Sequence, residues 1–321
     1  MQRKRTCVQL AATLLILVPA LAACGSDDES SPDPKVSATT GIAADVTRQI
    51  AGEDATVDQV IPDSATPHDF SLSAEDRADL EDSVLVVSNG AELETGIPFD
   101  ELDAPQFAFA DHAGELLAFG ESGEAHSGAE EHAEGDEDAD HGGDDPHLWM
   151  DPTRLAAAVP ALGDELAGAD PDHAGAYRRR AREYADELED LDAKLERTLE
   201  GVPDSDRKLV TSHDALAYFA DRYGFEVVAT AFPASGPEAE ASAASIQETE
   251  DAIADSGVPA VFAEETDDAR VLEQIAERSG VEIVDGLLVE TPGDAGSYVE
   301  MMRRNAALIS GALSGDGASG S

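Results

Sequence analysis

Between residues 35 and 313 short β-type runs alternate with segments of helical periodicity, and the alternation is broken once by a helix pattern about thirty residues long. "KVSATT" (35–40) leads into "GIAADVTRQIAG", whose apolar residues recur at helical spacing. "ATVDQVIP" reads as a strand, "SAEDRADLEDS" as a helix with a serine N-cap, "VLVVS" (84–88) as a buried strand and "QFAFA" as another. Such βαβ alternation predicts a parallel sheet covered by helices. "DPTRLAAAVPALGDELAGAD" predicts a helix interrupted near Pro160, and the long pattern that follows is bounded by Pro171 and Gly201. At 1.5 Å per residue it would run roughly 45 Å, the length of a whole domain. Beyond it the alternation resumes: "RKLVTS", "HDALAYFADRYG", "FEVVAT", a loop at 233–244, "SIQETEDAIADSG", "PAVFAE", "DARVLEQIAERSG", "VEIVDGLLV" and "GSYVEMMRRNAALISGAL". The fold class is therefore α/β, with two parallel-sheet lobes joined by one long helix. At 42% hydrophobic residues the chain has apolar material for two cores of ordinary size. The expected segments are a first lobe at 35–170, the linking helix at 171–201, a second lobe at 202–313 and a disordered tail at 314–321.

The start of the chain, "MQRKRTCVQLAATLLILVPALAAC", pairs a basic opening with an apolar run too short for an ordinary membrane span, so residues 1–23 read as an export signal. Its "LAAC" ending resembles a bacterial lipobox, which makes Cys24 the expected site of lipidation and 24–34 a flexible acidic tether. The chain would then sit outside the cytoplasm, anchored to the membrane. Cys7 falls inside the signal, so the folded body has no thiol for a disulfide, a zinc finger or a nucleophile.

Sixty-nine acids against twenty bases give a formal charge of −49, more negative still once Arg3, Lys4 and Arg5 are removed. A surface of that sign repels phosphate backbones, which excludes nucleic acid as a partner, and concentrates cations. Adaptation to solubility accounts for most of such a charge.

Three histidines lie just past strand ends: His68 in "IPDSATPHDFSLSAED", His147 in "DDPHLWMDP" and His213 in "LVTSHDALAYF". Ligands of open α/β sheets bind in the crevice beyond the carboxyl ends of the strands, so the three point to one neighbourhood. A lone histidine in such a loop is more often a cap or a surface residue; three of them weaken that reading. Neutral imidazole suits zinc better than calcium or magnesium.

"PHDFSLSAED", "DPHLWMDP" and "TSHDALAYFADRYG", in this order, resemble the three histidine motifs of zinc-type substrate-binding lipoproteins of ABC importers, the cluster A-I solute-binding family. "VVSNGAELE", "VFAEETDDARVLEQIAERSGVEIV" and "GSYVEMMRRNAALI" support the resemblance, which covers about residues 35–313. It implies two Rossmann-like lobes on a rigid backbone helix, a metal cleft between them, and delivery of Zn²⁺ to a membrane permease by a protein expected to be a monomer and not an enzyme. A metallochaperone is a further candidate partner. Carried over by position, His68, His147 and His213 are the ligands, and a histidine rather than glutamate at the third position favours zinc over manganese. The family's fourth ligand is commonly an aspartate in a turn that here reads "VETPG", which makes Glu290 the matching carboxylate. Glutamate is one methylene longer, so water is the alternative, and Asp285, inside the strand run, is a weaker candidate.

Manganese or another divalent ion, and a metal-buffering lipoprotein without a transporter, keep the same ligand set. A zinc hydrolase would also use an open fourth position, but the chain has no HExxH helix. The acidic, glycine-broken stretch at 112–145 carries His112, His126, His132 and His141, and is expected to be either a solvated spacer or a weak auxiliary metal loop. Trp149, two residues past His147 and the sole tryptophan, should either report metal capture or simply pack between the lobes. His173, at the start of the long helix, is expected on the surface.

Overall fold

The structure, a computed structural model, describes residues 33–119, 143–232, 243–264 and 270–314. The expected signal, Cys24 and most of the expected tether, together with His126, His132, His141 and nearly all of the expected tail, lie outside the described residues.

The first lobe is a four-stranded parallel sheet of β1 (Lys35–Ala38), β2 (Thr56–Gln59), β3 (Leu85–Ser88) and β4 (Gln106–Ala108), in the order β2-β1-β3-β4. Helix α1 (Gly41–Ala51) returns β1 to β2 and α2 (Ala74–Glu81) precedes β3. Each begins where the sequence supplies a cap. Thr40 accepts from the Ala43 amide, and Ser73 and Asp76 form a reciprocal capping box. All four residues of β3 are buried, as befits a strand covered on both faces.

Helix α3 (Pro152–Ala169) is continuous, contrary to the interruption expected at Pro160. Pro160 lies on the exposed side of the helix, where the lost amide bond faces water, while Leu155, Val159, Leu162 and Leu166 hold the opposite side in the core. Helix α4 (Ala174–Leu199) is the long one, 26 residues and thus about 39 Å. It starts later than Pro171 because Asp170 and His173 pair with each other in the turn before it, which leaves His173 on the surface as expected. At Gly163 α3 lies tight against α4. A Cβ there would stand 2.5 Å from that of Ala181, so only glycine allows the contact.

The second lobe repeats the plan. Strands β5 (Lys208–Thr211), β6 (Glu226–Thr230), β7 (Ala260–Glu264) and β8 (Glu282–Leu287) form a parallel sheet in the order β6-β5-β7-β8. Helices α5 (Ala217–Tyr223), α6 (Ala243–Ser256) and α7 (Arg270–Ser279) connect its strands, and α8 (Tyr298–Leu313) follows β8. The helix predicted from His213 onward starts only at Ala217. The backbone of His213 is engaged elsewhere, its amide on Glu264 and its carbonyl accepting from Thr211 Oγ1.

Helix α8 reaches beyond its own sheet. The Tyr298 amide donates to Asp45 of α1 at 2.8 Å, the Tyr298 hydroxyl donates to the Trp149 carbonyl at 2.6 Å, and Ser310 Oγ reaches the Thr198 carbonyl of α4. One apolar core accordingly runs from Val36 and Ile50 through Leu188 to Phe219 and Met302. Among the described residues no helix is long and apolar enough to cross a membrane.

Candidate metal centre

The carboxyl ends of both sheets converge on three imidazoles. His68 follows β2 in a single tight turn (Pro67–Asp69), His147 follows the segment after β4, and His213 stands two residues past β5. The ligand-capable atoms of His68, His147 and His213 all lie within 4.8 Å of one another. Ring centroids are 5.4 Å apart for His68–His147 and for His147–His213, and 6.2 Å for His68–His213. His147 is fully buried, His213 nearly so, and His68 is partly open.

Two of the rings are aimed by carboxylates. Asp145 Oδ1 accepts from the His147 backbone N–H at 2.9 Å and lies 2.7 Å from its Nδ1. Glu264, the last residue of β7, puts Oε1 2.9 Å from His213 Nδ1 and also accepts from the His213 amide. Strand neighbours β5 and β7 make that meeting unavoidable, since Thr211 pairs with Phe262. A carboxylate on Nδ1 fixes the tautomer that leaves Nε2 as the donor toward a metal. The Nε2 atoms of His68 and His147 are buried without a hydrogen-bond partner, an arrangement costly unless something else satisfies them.

Glu290 sits three residues beyond β8, buried, with Oε1 3.5 Å from His68 Nε2 and 4.0 Å from His213 Nε2. Thr66 Oγ1 donates to the same oxygen at 3.0 Å. Asp285 lies on an exposed position of β8 and is not brought to the cluster. Beside Glu290 a cleft lined by Thr40, Asp63, Pro67 and Thr291 opens between the lobes.

Burial governs the protonation of the site. Desolvation, followed by repulsion from His147 and His213, pushes His68 down to about 3, so it is neutral and competent to ligate at any ordinary pH. Desolvation raises the Glu290 carboxyl above its usual range, against the opposing pull of His213 and Thr66. Asp214, next to His213, is raised by burial first and by Asp145 second.

The His68 turn is held by backbone contacts. Thr66 Oγ1 accepts from the His68 amide, and Thr95 Oγ1 donates to the His68 carbonyl at 3.1 Å. Thr95 lies in a turn in which Ala91 and Glu92 take left-handed φ values of 50° and 58°. That strained turn is stabilised by the buried carboxylate of Glu94, which accepts from Thr39 Oγ1 at 2.6 Å and from the Asn89 amide at 2.9 Å. Gly96 must be glycine, because a Cβ there would fall 1.8 Å from the Phe70 carbonyl.

The His147 turn is tied to the second lobe. Trp149 Nε1 donates to the Val289 carbonyl at 2.8 Å, immediately before Glu290, while its ring lies 5.3 Å from that of His147. Trp149 thus packs between the lobes, one of the two expectations for it, with its ring beside that of His147. His112 stacks on Phe107 at 4.9 Å and does not join the three imidazoles. Asp145 and Glu264 were not singled out in the sequence, although an acid two residues before His147 and an acid closing an apolar strand were the signals available.

Fold and cluster together define a class: a two-lobed α/β binding protein with a histidine site at the lobe junction. The chain belongs to the family described as zinc-uptake complex component A, periplasmic (ZnuA), which it matches over residues 36–312. It is similar to the zinc-binding protein TroA of Treponema pallidum (strain Nichols), 30% identical over 325 residues that cover 98% of this chain and 99% of that one. The solved structure of TroA superposes with a TM-score of 0.74 at 27% identity, covering 88% of this chain and 99% of that one. The manganese-binding lipoprotein MntA of Bacillus subtilis (strain 168) is 27% identical over 322 residues, 95% of this chain and 98% of MntA. The zinc-binding lipoprotein AdcA of Streptococcus pneumoniae (strain ATCC BAA-255 / R6) is 27% identical over 293 residues, 89% of this chain, and the chain spans only 57% of AdcA's length.

Proposed function

We propose that this chain captures Zn²⁺ outside the cytoplasm and hands it to an ABC-type importer, with His68, His147 and His213 as nitrogen ligands and Glu290 as the fourth donor. The observation that carries the reading is the histidine trio itself, with ligand atoms within 4.8 Å and two of the three rings aimed by carboxylates. Three imidazoles and one carboxylate form the tetrahedral nitrogen and oxygen set that zinc prefers. Asp145, Asp214, Glu264 and Glu290 place negative charge around the trio to offset the dication. The protein acts as a carrier and not as an enzyme, in keeping with a family of transport components. Lipid at Cys24 anchors it to the membrane, and it works as a monomer against the permease. The stretch at 112–145 is an auxiliary element: removing residues 120–142 leaves one tight zinc site and abolishes weaker binding.

Similarity to MntA supports a second cargo, manganese, for which Glu290 offers a hard oxygen donor. Calorimetric titration of protein purified without added metal, followed by competition between Zn²⁺ and Mn²⁺, tests both. One tight zinc site that manganese does not displace is expected, accompanied by a change in Trp149 emission. Tighter manganese binding would replace zinc as the cargo, and no binding of either would overturn the proposal.

A further inference from the structure

One phenol stands where the His147 turn meets the second lobe. Tyr218 lies at the start of α5, five residues past His213, its ring buried and the Arg154 guanidinium 4.5 Å over its face. Its hydroxyl donates to the Asp145 carbonyl at 2.8 Å and accepts from the Leu117 amide at 3.0 Å. Leu117 and Asp145 face each other across an antiparallel neck. The Asp145 amide donates to the Leu117 carbonyl at 2.7 Å and the Phe119 amide to the Gly143 carbonyl at 3.0 Å, either side of a bridge between Ala118 and Asp144. Asp145 is also the residue whose carboxylate aims His147.

We infer that Tyr218 is a positioning residue for metal capture: by pinning the Asp145 carbonyl and the Leu117 amide, its hydroxyl fixes the orientation of the His147 ring relative to His213. The inference rests on the zinc reading of the trio. A carboxylate can hold an imidazole at a set angle only if its own backbone is held. In Asp145 the amide is held by the first lobe and the carbonyl by the second. Because α5 begins four residues after His213, displacement of that segment moves the phenol and with it Asp145. The two rings then keep a common geometry when either segment shifts. Burial pushes the Tyr218 hydroxyl up to about 12, so it remains a donor throughout the physiological range. Phenylalanine fills the same space but leaves the Asp145 carbonyl and the Leu117 amide without this partner.

The test is Tyr218→Phe in the full chain, with zinc affinity measured by chelator competition and ligand geometry by the visible spectrum of bound Co²⁺. Affinity should fall about tenfold, as for other losses of outer-sphere support, and the Co²⁺ bands should shift. Tyr223→Phe is the control. Its hydroxyl bonds Asp192 at 3.0 Å, outside the trio's contacts, so it should lower the melting temperature and leave affinity and spectrum unchanged. Combining Tyr218→Phe with Asp145→Asn should cost no more than the worse single variant, because both act through the same ring. Wild-type affinity and spectrum in Tyr218→Phe, equal affinity losses in both tyrosine variants, or losses that multiply in the double variant would each overturn the inference. Failure of the wild type to bind zinc would instead overturn the function on which it rests.

Discussion

The turns that carry His147 and His68 deliver the same side chain to the same cluster by different means. His147 is fully buried, has a carboxylate on both its Nδ1 and its backbone amide, and sits in a segment bonded to the second lobe through Trp149 and Tyr218. His68 is partly open, and among the described residues no carboxylate pairs with its Nδ1. It is held through its backbone by Thr66 and Thr95. One ring is thus oriented by a carboxylate on its Nδ1, whereas the other is held through its main chain and meets a carboxylate, Glu290, only at Nε2. A buried imidazole with a fixed tautomer loses little freedom when it binds a metal, whereas a ring free at Nδ1 must be ordered by the metal itself.

That contrast sets an order of effects. His147→Ala should weaken zinc binding most, by about a hundredfold, and His68→Ala by at least about tenfold, both read by chelator competition. Equal losses would remove the distinction between the two turns. Next in size are Asp145→Asn and Glu264→Gln, each expected to reduce affinity about tenfold by loosening a ring. Thr95→Ala, which touches only the His68 carbonyl, should change affinity less than about threefold. A larger loss there than in Asp145→Asn would reverse the comparison.

The proposed fourth donor, Glu290, comes third. Glu290→Gln should weaken zinc binding several-fold, whereas Asp285→Asn, on the exposed side of β8, should leave it unchanged. Calorimetry in buffers of different ionisation enthalpy should also show proton release on zinc binding that grows as the pH is lowered, because burial raises the Glu290 carboxyl and a bound dication favours its ionised form. No dependence on buffer would mean that Glu290 enters already ionised.

Parallel sheets and strand-end histidines were legible in the sequence because both rest on local periodicity: two periods alternating, and a histidine after each of three apolar runs. What could not be read was contact between strands distant in the chain. Glu264 reaches His213 only because β5 and β7 are neighbours, a pairing that no spacing announces. Asp145 lay in plain view beside His147, but a charged residue in an acidic stretch carries no local mark of burial. Local preference also misled at His213, whose segment has helical character yet forms a bend, its amide serving Glu264. At Pro160 it overstated the break, since the proline faces solvent.

The smallest effect concerns stability without metal. His68 titrates near 6.5 when unfolded and at about 3 when folded. Between those values the unfolded chain binds the extra proton, so this ring makes stability fall as pH falls through the window from 6.5 to about 3. Glu290, raised in the fold, contributes oppositely above 4.5, stability falling there as pH rises. His68→Gln removes the first contribution alone, and urea unfolding of metal-free protein should show it losing less stability than the wild type between pH 7 and 5. Matching slopes would mean that the folded His68 takes up its proton as readily as the unfolded one.

Helix α8 gives the frame a temporal property. The chain leaves the first lobe along α4 and comes back to it through Tyr298, whose amide and hydroxyl are fastened to Asp45 and Trp149. A body stitched at two places does not swing about one thread, so under the proposed function opening the lobes to expose the ion requires these bonds to break as well. Under the proposed function the dwell time of the cargo is then set by side chains and short turns giving way one at a time. Left to itself such a carrier unloads slowly, and fast delivery requires that the acceptor perform mechanical work on it.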